Sequence, residues 1–483
     1  MIPASISTIQ EIRNALVEFK KSGKFIISYA EVYSQGTYYL ASLSDKVYLN
    51  PQGYMLFKGL AAESMFFKGA LEKLNIEMQV MRHGKFKSAA EPFLSDKMSD
   101  ANKLQTMVFI EAVWKNILYD ISQSRNISVA ELDRLADEFK IETPEDALKY
   151  KLVDGLAYKD EVLTDLAARL GEKETDKINY MAMGKYTKVT GSKVKTPSVK
   201  DRIAVIYASG AIQSGDGDDK TIGSEKISKA IRKARLDKKI KAIVLRVNSP
   251  GGSALASDVI WHEVVLAKAA KPVVVSMGDY AASGGYYISC GATKIFAEPN
   301  TLTGSIGVFG MIPNFQGLLN KKLGITVDGV KTDNYADIGM VTRPMTPGEK
   351  GIMEREIDNI YNVFLKHVAE GRNMSVQKVD SIAQGRIWVA ADAKRIGLVD
   401  EIGGVNDAIK AAADLAKTTN YRVVSLPEQK EFIQELMENL KDGARINYIK
   451  NELGENYIYY EHLKQAAEMK GIQARLPFEL IIK

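Results

Sequence analysis

The chain has 483 residues, 46% of them hydrophobic, and its 65 basic and 60 acidic side chains are interspersed to a net charge of +5. A length of this order allows about two to four domains, and mixed charge gives no field of one sign, so nucleic acid is not an expected partner. No apolar run reaches the roughly eighteen residues of a membrane-spanning helix, Met1–Gln10 lacks the regions of a signal peptide, and the single Cys290 excludes an internal disulfide. The chain as given therefore reads as soluble, with Cys290 a small buried apolar residue.

Taken in chain order, the first forty or so residues already announce a duplication. A shift of 248 lays Ile12–Pro51 over Ile260–Pro299, with about nine identities in roughly forty ungapped positions. GTYYLASLSDKVYLNP at 36–51 falls on GGYYISCGATKIFAEP at 284–299, pairing Gly36 with Gly284, Tyr38 with Tyr286, Tyr39 with Tyr287 and Pro51 with Pro299. Further on, SRNISVAELD (124–133) matches GRNMSVQKVD (371–380), and ALKYKLVD (147–154) matches AKRIGLVD (393–400). Two homologous domains are expected: an N-terminal repeat over 1–170 and a C-terminal repeat over 201–425. A polar linker over 171–200, whose basic residues read as solvated, joins them, and a helical extension over 426–483 follows. The first repeat opens just after the place where the second has its NSPGG turn. It thus lacks about fifty residues of opening strands, and the chain is expected to begin further upstream.

In the second repeat, IAVIYASGAI (203–212) and IKAIVLRV (240–247) are continuous apolar, β-branched runs of the kind found in strands buried on both faces. A helical pattern separates them. The NSPGG turn (248–252) leads into a helix over Ser253–Ala269, the strand PVVVSM (272–277) follows, and a glycine turn opens a short helix near Ser283. Strand–helix alternation of this type predicts an α/β fold with mostly parallel sheets and covering helices.

Three glycine-containing turns carry the chemistry. In GDYAASGGYYIS, small residues let the backbone turn sharply after a strand and present the Ser283 hydroxyl at a helix start, although a plain serine N-cap would look the same. Gly251 and Gly252 in NSPGG, with Gly284, could turn backbone amides toward an acyl oxygen; the bland reading is a strand-to-helix turn. TGSIGV (303–308) reads as a loop that could line the same cleft. No metal-ligand pattern or cofactor motif is present in these segments, so neither is expected.

A serine hydroxyl needs a base. The four histidines, His83, His262, His367 and His462, lie in helical or charged contexts that suit structural roles better than a triad. A lysine serves when burial lowers its pKa and leaves a neutral amine. Lys87, in GKFKSAAEPF (84–93), sits among small and aromatic residues that would desolvate it, though Glu91 could instead hold it in an ordinary ion pair. The duplication favours the catalytic alternative: Gln35 stands where the first repeat would have its serine, and Asn334 stands approximately where the second would have its lysine. Each repeat lacks what the other keeps, which is expected if one composite site is shared between them.

FKSAAEPF, VNSPGGS and AASGGYYIS together resemble the signal peptide peptidase A (protease IV) family in its long, duplicated form, and the likeness spans nearly the whole chain. The resemblance implies a Clp protease/crotonase-like fold in both repeats, with Ser283 as nucleophile and Lys87 as general base, and no cofactor. It also implies a homotetramer, an N-terminal inner-membrane anchor that this chain lacks, a site facing the periplasm, and cleaved signal peptides as substrates. An acyl-CoA enzyme of the crotonase type and an inactive peptide-binding scaffold are the rival readings.

Overall fold

The computed structural model describes residues 5–186, 199–218, 220–427, 472–476 and 481–482. Its centre is a largely parallel sheet in which Ile387–Val389, Leu302–Gly304, Val273–Ala282, Ile240–Ser249, Arg202–Ser209 and Arg422–Leu426 lie side by side. Lys294–Ala297 and Glu401–Ile402 extend it from the Val273–Ala282 strand. The apolar runs behave as expected: Ile243, Val244 and Leu245 are all fully buried, as strands covered on both faces require. On one face they meet the helices Ser224–Leu236 and Ala254–Ala270, on the other the helix Val405–Leu415.

The duplication is visible element by element. The helix Ile6–Lys21 corresponds to Ala254–Ala270, the helix Gln35–Ala41 to Gly284–Cys290, and the long helix Asp100–Arg125 to Pro347–Arg372. Both long helices have 26 residues, begin at a Ser or Thr N-cap and end at a left-handed Asn. Asn tolerates that conformation better than most residues and so stops both helices at the same place. The first repeat has a smaller parallel sheet of Ile27–Tyr33, Lys46–Met55 and Gly155–Leu156, with its own core around Tyr38, Tyr39 and Val47.

A second sheet, not foreseen from the sequence, ties the repeats together. Its order is Glu77–His83, Val308–Asn314, Ile472–Arg475, Gly251–Ser253, Ala211–Gln213, Thr221–Gly223. The first two strands come from different repeats and pair antiparallel from Val308 opposite His83 to Asn314 opposite Glu77. The helical extension over 426–483 needs correction where it can be seen: Ile472–Arg475 and Ile481–Ile482 are strands. The remainder of it from 428 on, apart from Leu476, lies outside the described residues, as do residues 187–198 of the linker and His462. The described part of the linker contains short helical turns at Thr175–Lys177 and Met183–Tyr186. No described helix is long and apolar enough to cross a membrane.

Candidate active site

Ser283 follows the last residue of the Val273–Ala282 strand and caps the Gly284–Cys290 helix with φ 55° and ψ −114°. A residue bearing a Cβ is strained there by about 1–3 kcal/mol, a conformation that persists only where surrounding contacts impose it. Glycine neighbours make the turn possible: a Cβ on Gly285 would stand 2.6 Å from the Ser249 carbonyl oxygen, and one on Gly284 would stand 2.6 Å from Ser257 Oγ. At the matching place in the first repeat, Gln35 has no positive φ. Its side-chain oxygen accepts from the amides of Lys58 and Gly59 at 3.0 and 3.1 Å, tying down the neighbouring loop.

Lys87 arrives from the other repeat through a chain of backbone hydrogen bonds. The Ser283 amide donates to the Gly304 carbonyl, the Ser305 amide to Arg386, the Gly385 amide to Ile306, and the Phe86 amide to Gln384. The segment bearing Lys87 thus docks on 384–386, which docks on 304–306, which docks on the serine turn. Arg386 braces the stack, its guanidinium 5.2 Å from the Phe86 ring centroid and 4.3 Å from that of Trp388.

The result is a contact of 2.8 Å between Lys87 Nζ and Ser283 Oγ, with both side chains fully buried. Nζ also lies 3.2 Å from both the carbonyl oxygen and Oγ of Ser305. Burial, with no opposing charge, holds the Lys87 amine well below the usual lysine range. Glu91 does not pair with it. That carboxylate accepts from Ser99 Oγ at 2.6 Å and Asn102 Nδ2 at 3.1 Å, and lies 3.7 Å from Arg82.

Ser305, Gly307 and Gly385 complete the surroundings of the amine. The loop around Ser305 was legible as a possible cleft wall, whereas no sequence pattern pointed to Gly385. A Cβ at Gly385 would come within 2.7 Å of the Lys87 backbone nitrogen, and one at Gly307 within 3.2 Å of its Cδ. Only glycine lets these two segments close around the lysine stem. The signal in the sequence was the pair of glycines in TGSIGV and AQGRI, which no helix or strand pattern required.

Of the three glycines expected to face an acyl oxygen, Gly252 and Gly284 lie together: a Cβ on Gly284 would sit 3.1 Å from the Gly252 nitrogen. Gly251 differs. Its amide donates to Ser249 Oγ at 3.1 Å, and its φ of 99° serves the turn. Among the described histidines none touches Ser283: His83 stacks on Tyr361 and bonds Asp358, and His367 stacks on Trp261 and bonds Asp258. Asn334 is exposed, far in character from a buried base. Cys290 is fully buried, as expected, and burial pushes its thiol up to about 12.

A strained serine at a glycine turn beside a desolvated amine is the equipment of a serine hydrolase, and comparison with known proteins narrows the class to serine peptidases. The profile of peptidase family S49 matches residues 18–173 and 266–419, one segment in each repeat, and the Clp protease profile matches 195–303. Protease 4 of Salmonella typhi is 41% identical over 447 residues, which cover 91% of this chain and 71% of that protein. Protease 4 of Haemophilus influenzae is 37% identical over 92% of this chain and 75% of its own length. The chloroplastic serine protease SPPA of Arabidopsis thaliana is 35% identical, with 87% and 62% covered. The chain belongs to peptidase family S49, and its substrates are peptides.

Proposed function

We propose that the chain hydrolyses peptide bonds through an acyl-enzyme in which Ser283 is the nucleophile and Lys87 the general base. The observation carrying this reading is the 2.8 Å contact between a fully buried amine and a strained serine. A neutral amine has one lone pair and two N–H groups, which suits three neighbours: it accepts from the Ser283 hydroxyl and donates to the two oxygens of Ser305. In the reaction, Nζ takes the hydroxyl proton as Oγ attacks the carbonyl carbon, and the amides of Gly252 and Gly284 hold the oxyanion. The ammonium then gives its proton to the leaving amine, and water, deprotonated by the same amine, releases the acyl group.

The reading extends to the rest of the molecule. Two repeats over 1–170 and 201–425, joined by 171–200, contribute one base and one nucleophile to a single site. The substrates are signal peptides and other membrane-associated peptides, cut at the periplasmic face of the inner membrane by a homotetramer held there through an N-terminal anchor. An acyl-thioester activity has no observation in its favour. The test is labelling with a fluorophosphonate probe followed by mass spectrometry. The adduct is expected on Ser283 and is expected to disappear in Lys87→Ala; an unlabelled Ser283 in the folded parent chain rejects both the mechanism and its dyad.

A further inference from the structure

Lys87 is held against Ser283 by segments of both repeats, and one side chain bonds to both segments. Gln105 lies on the Asp100–Arg125 helix and is 1% exposed. Its Nε2 donates to the Phe86 carbonyl at 3.2 Å and to Ser88 Oγ at 2.9 Å, so it holds the residues on either side of the lysine. Its Oε1 accepts from the Ile387 amide of the other repeat at 3.4 Å. Ile387 stands opposite Gly304 in the central sheet, and the Gly304 carbonyl accepts from the Ser283 amide. A single buried amide thus connects the flanks of the amine to the strands that anchor the serine turn.

The orientation of that amide follows from its backbone partners. A carbonyl only accepts and a peptide N–H only donates, so the nitrogen must face Phe86 and the oxygen Ile387. Buried neighbours brace the nitrogen end: Ser88 Oγ donates to Asn102 Oδ1 at 3.0 Å, and Gln105 Nε2 lies 3.1 Å from the same oxygen. Asn102 in turn donates to Glu91 at 3.1 Å, and Arg82 donates to the Lys87 carbonyl at 3.3 Å. The duplication supplies an independent sign. Aligned with Asp100 on Pro347, the two 26-residue helices put Ile352 at the place of Gln105 and Glu349 at that of Asn102. An isoleucine side chain makes neither bond, and its repeat has Asn334 approximately where the lysine would stand.

We infer that Gln105 is a positioning residue for the reaction: it clamps Phe86 and Ser88 onto the Ile387 strand and so sets the separation of Lys87 Nζ and Ser283 Oγ. The inference rests on the reading of Lys87 as base and Ser283 as nucleophile. Gln105 acts through the backbone on either side of the lysine, not on the reacting atoms themselves. Without it the Phe86 carbonyl and the Ile387 amide lose this partner and must find water instead. The lysine segment is then free to drift from the serine turn, and water gains access to the amine.

The test uses Gln105→Met, which nearly keeps the volume and removes both bonds, and reads the rate of fluorophosphonate labelling at Ser283 across pH. At neutral pH the rate is expected to fall by about 100-fold, the scale of a 1 Å misplacement. The limb along which labelling rises with pH is expected to move to higher pH as the amine gains water. With a peptide substrate the loss should lie in kcat, with KM within a few-fold of the parent. Gln105→Asn, smaller and still polar, falls one methylene short of spanning both segments and is expected to show the same changes more weakly. It decides the matter where the methionine chain does not fold. A purely structural glutamine would lower Tm and leave the limb in place, so a folded variant that keeps the parental limb or the parental labelling rate overturns the inference. The dyad is judged separately: in Lys87→Ala with Gln105 intact, labelling at the parental rate rejects the base, whatever Gln105→Met does.

Discussion

At Lys87 a single burial decides two properties at once, reactivity and stability. Ser283→Ala and Lys87→Ala are each expected to abolish peptidase turnover in a folded protein, and Lys87→Arg to do the same, because a guanidinium does not release its proton near neutral pH. Activity is expected to rise with pH through the Lys87 titration, since only the neutral amine accepts the serine proton, and the limb should fall well below the ~10.4 of a free lysine. A kcat/KM profile whose limb sits near that free value removes Lys87 as the base. The same depression sets a stability trend. Between the folded and unfolded lysine pKa values the unfolded chain binds more protons, so stability increases with pH across that window and is lost as pH falls through it. Lys87→Met is therefore expected to raise Tm by ~2–4 °C at neutral pH, with the gain shrinking as pH approaches the unfolded value, as calorimetry would read. The meeting of Ser283 and Lys87 was legible because the duplication exposed what each repeat had lost. The partner of Glu91 was not, since Ser99 and Asn102 meet it only after the chain turns into the Asp100–Arg125 helix.

The turns that carry these residues answer to glycine more than to their own side chains. Gly385 has φ 74° and abuts Lys87, so Gly385→Ala is expected to shift the lysine and lower kcat/KM by about 100-fold, the scale of a 1 Å misplacement. The check is a KM against kcat split, in which kcat should carry most of the loss. Gln35→Ala is expected to leave kcat/KM within a few-fold of the parent, because Gln35 ties down a loop in the repeat without a site; a loss on the scale of Ser283→Ala would contradict that assignment. Strands and helices of the second repeat were legible from apolar runs because parallel strands buried on both faces leave a continuous signature. The Gly251–Ser253 strand was not. Three small residues carry no period, and their pairing depends on strands distant in the chain. The C-terminal strand was read as helix for the same reason: its partners, more than 150 positions earlier in the chain, determine its conformation.

Across the whole molecule the repeats meet along a polar seam as well as the shared sheet. Arg246 pairs with Glu11 at 2.7 Å, Thr8 bonds Asp279, and Asn300 donates to Gln10 at 3.0 Å. Periodicity within each repeat could reveal none of these pairs, because each joins positions at least 235 residues apart. Glu298 is buried in this seam; desolvation first, then Glu11, pushes its carboxyl up to about 7. Folded Glu298 therefore holds its proton where the unfolded chain has released it, so stability decreases as pH rises from the ordinary carboxylate range to about 7 and levels off above that. Glu298→Gln is expected to raise Tm above pH 7 and to change it little in acid, and a thermal melt series across pH checks the sign.

The contact between Lys87 and Ser283 joins positions 196 residues apart in the chain. At synthesis rates of about 5–20 residues per second, the amine leaves the ribosome roughly 10–40 s before the hydroxyl it will meet. During that interval the nascent chain carries the amine without its partner. The strand pairing of Glu77–His83 with Val308–Asn314 must wait longer still, until the chain has been made as far as Asn314. The order of the repeats thus works as a timer, delaying the power to cut peptide bonds until most of the polypeptide exists to contain it.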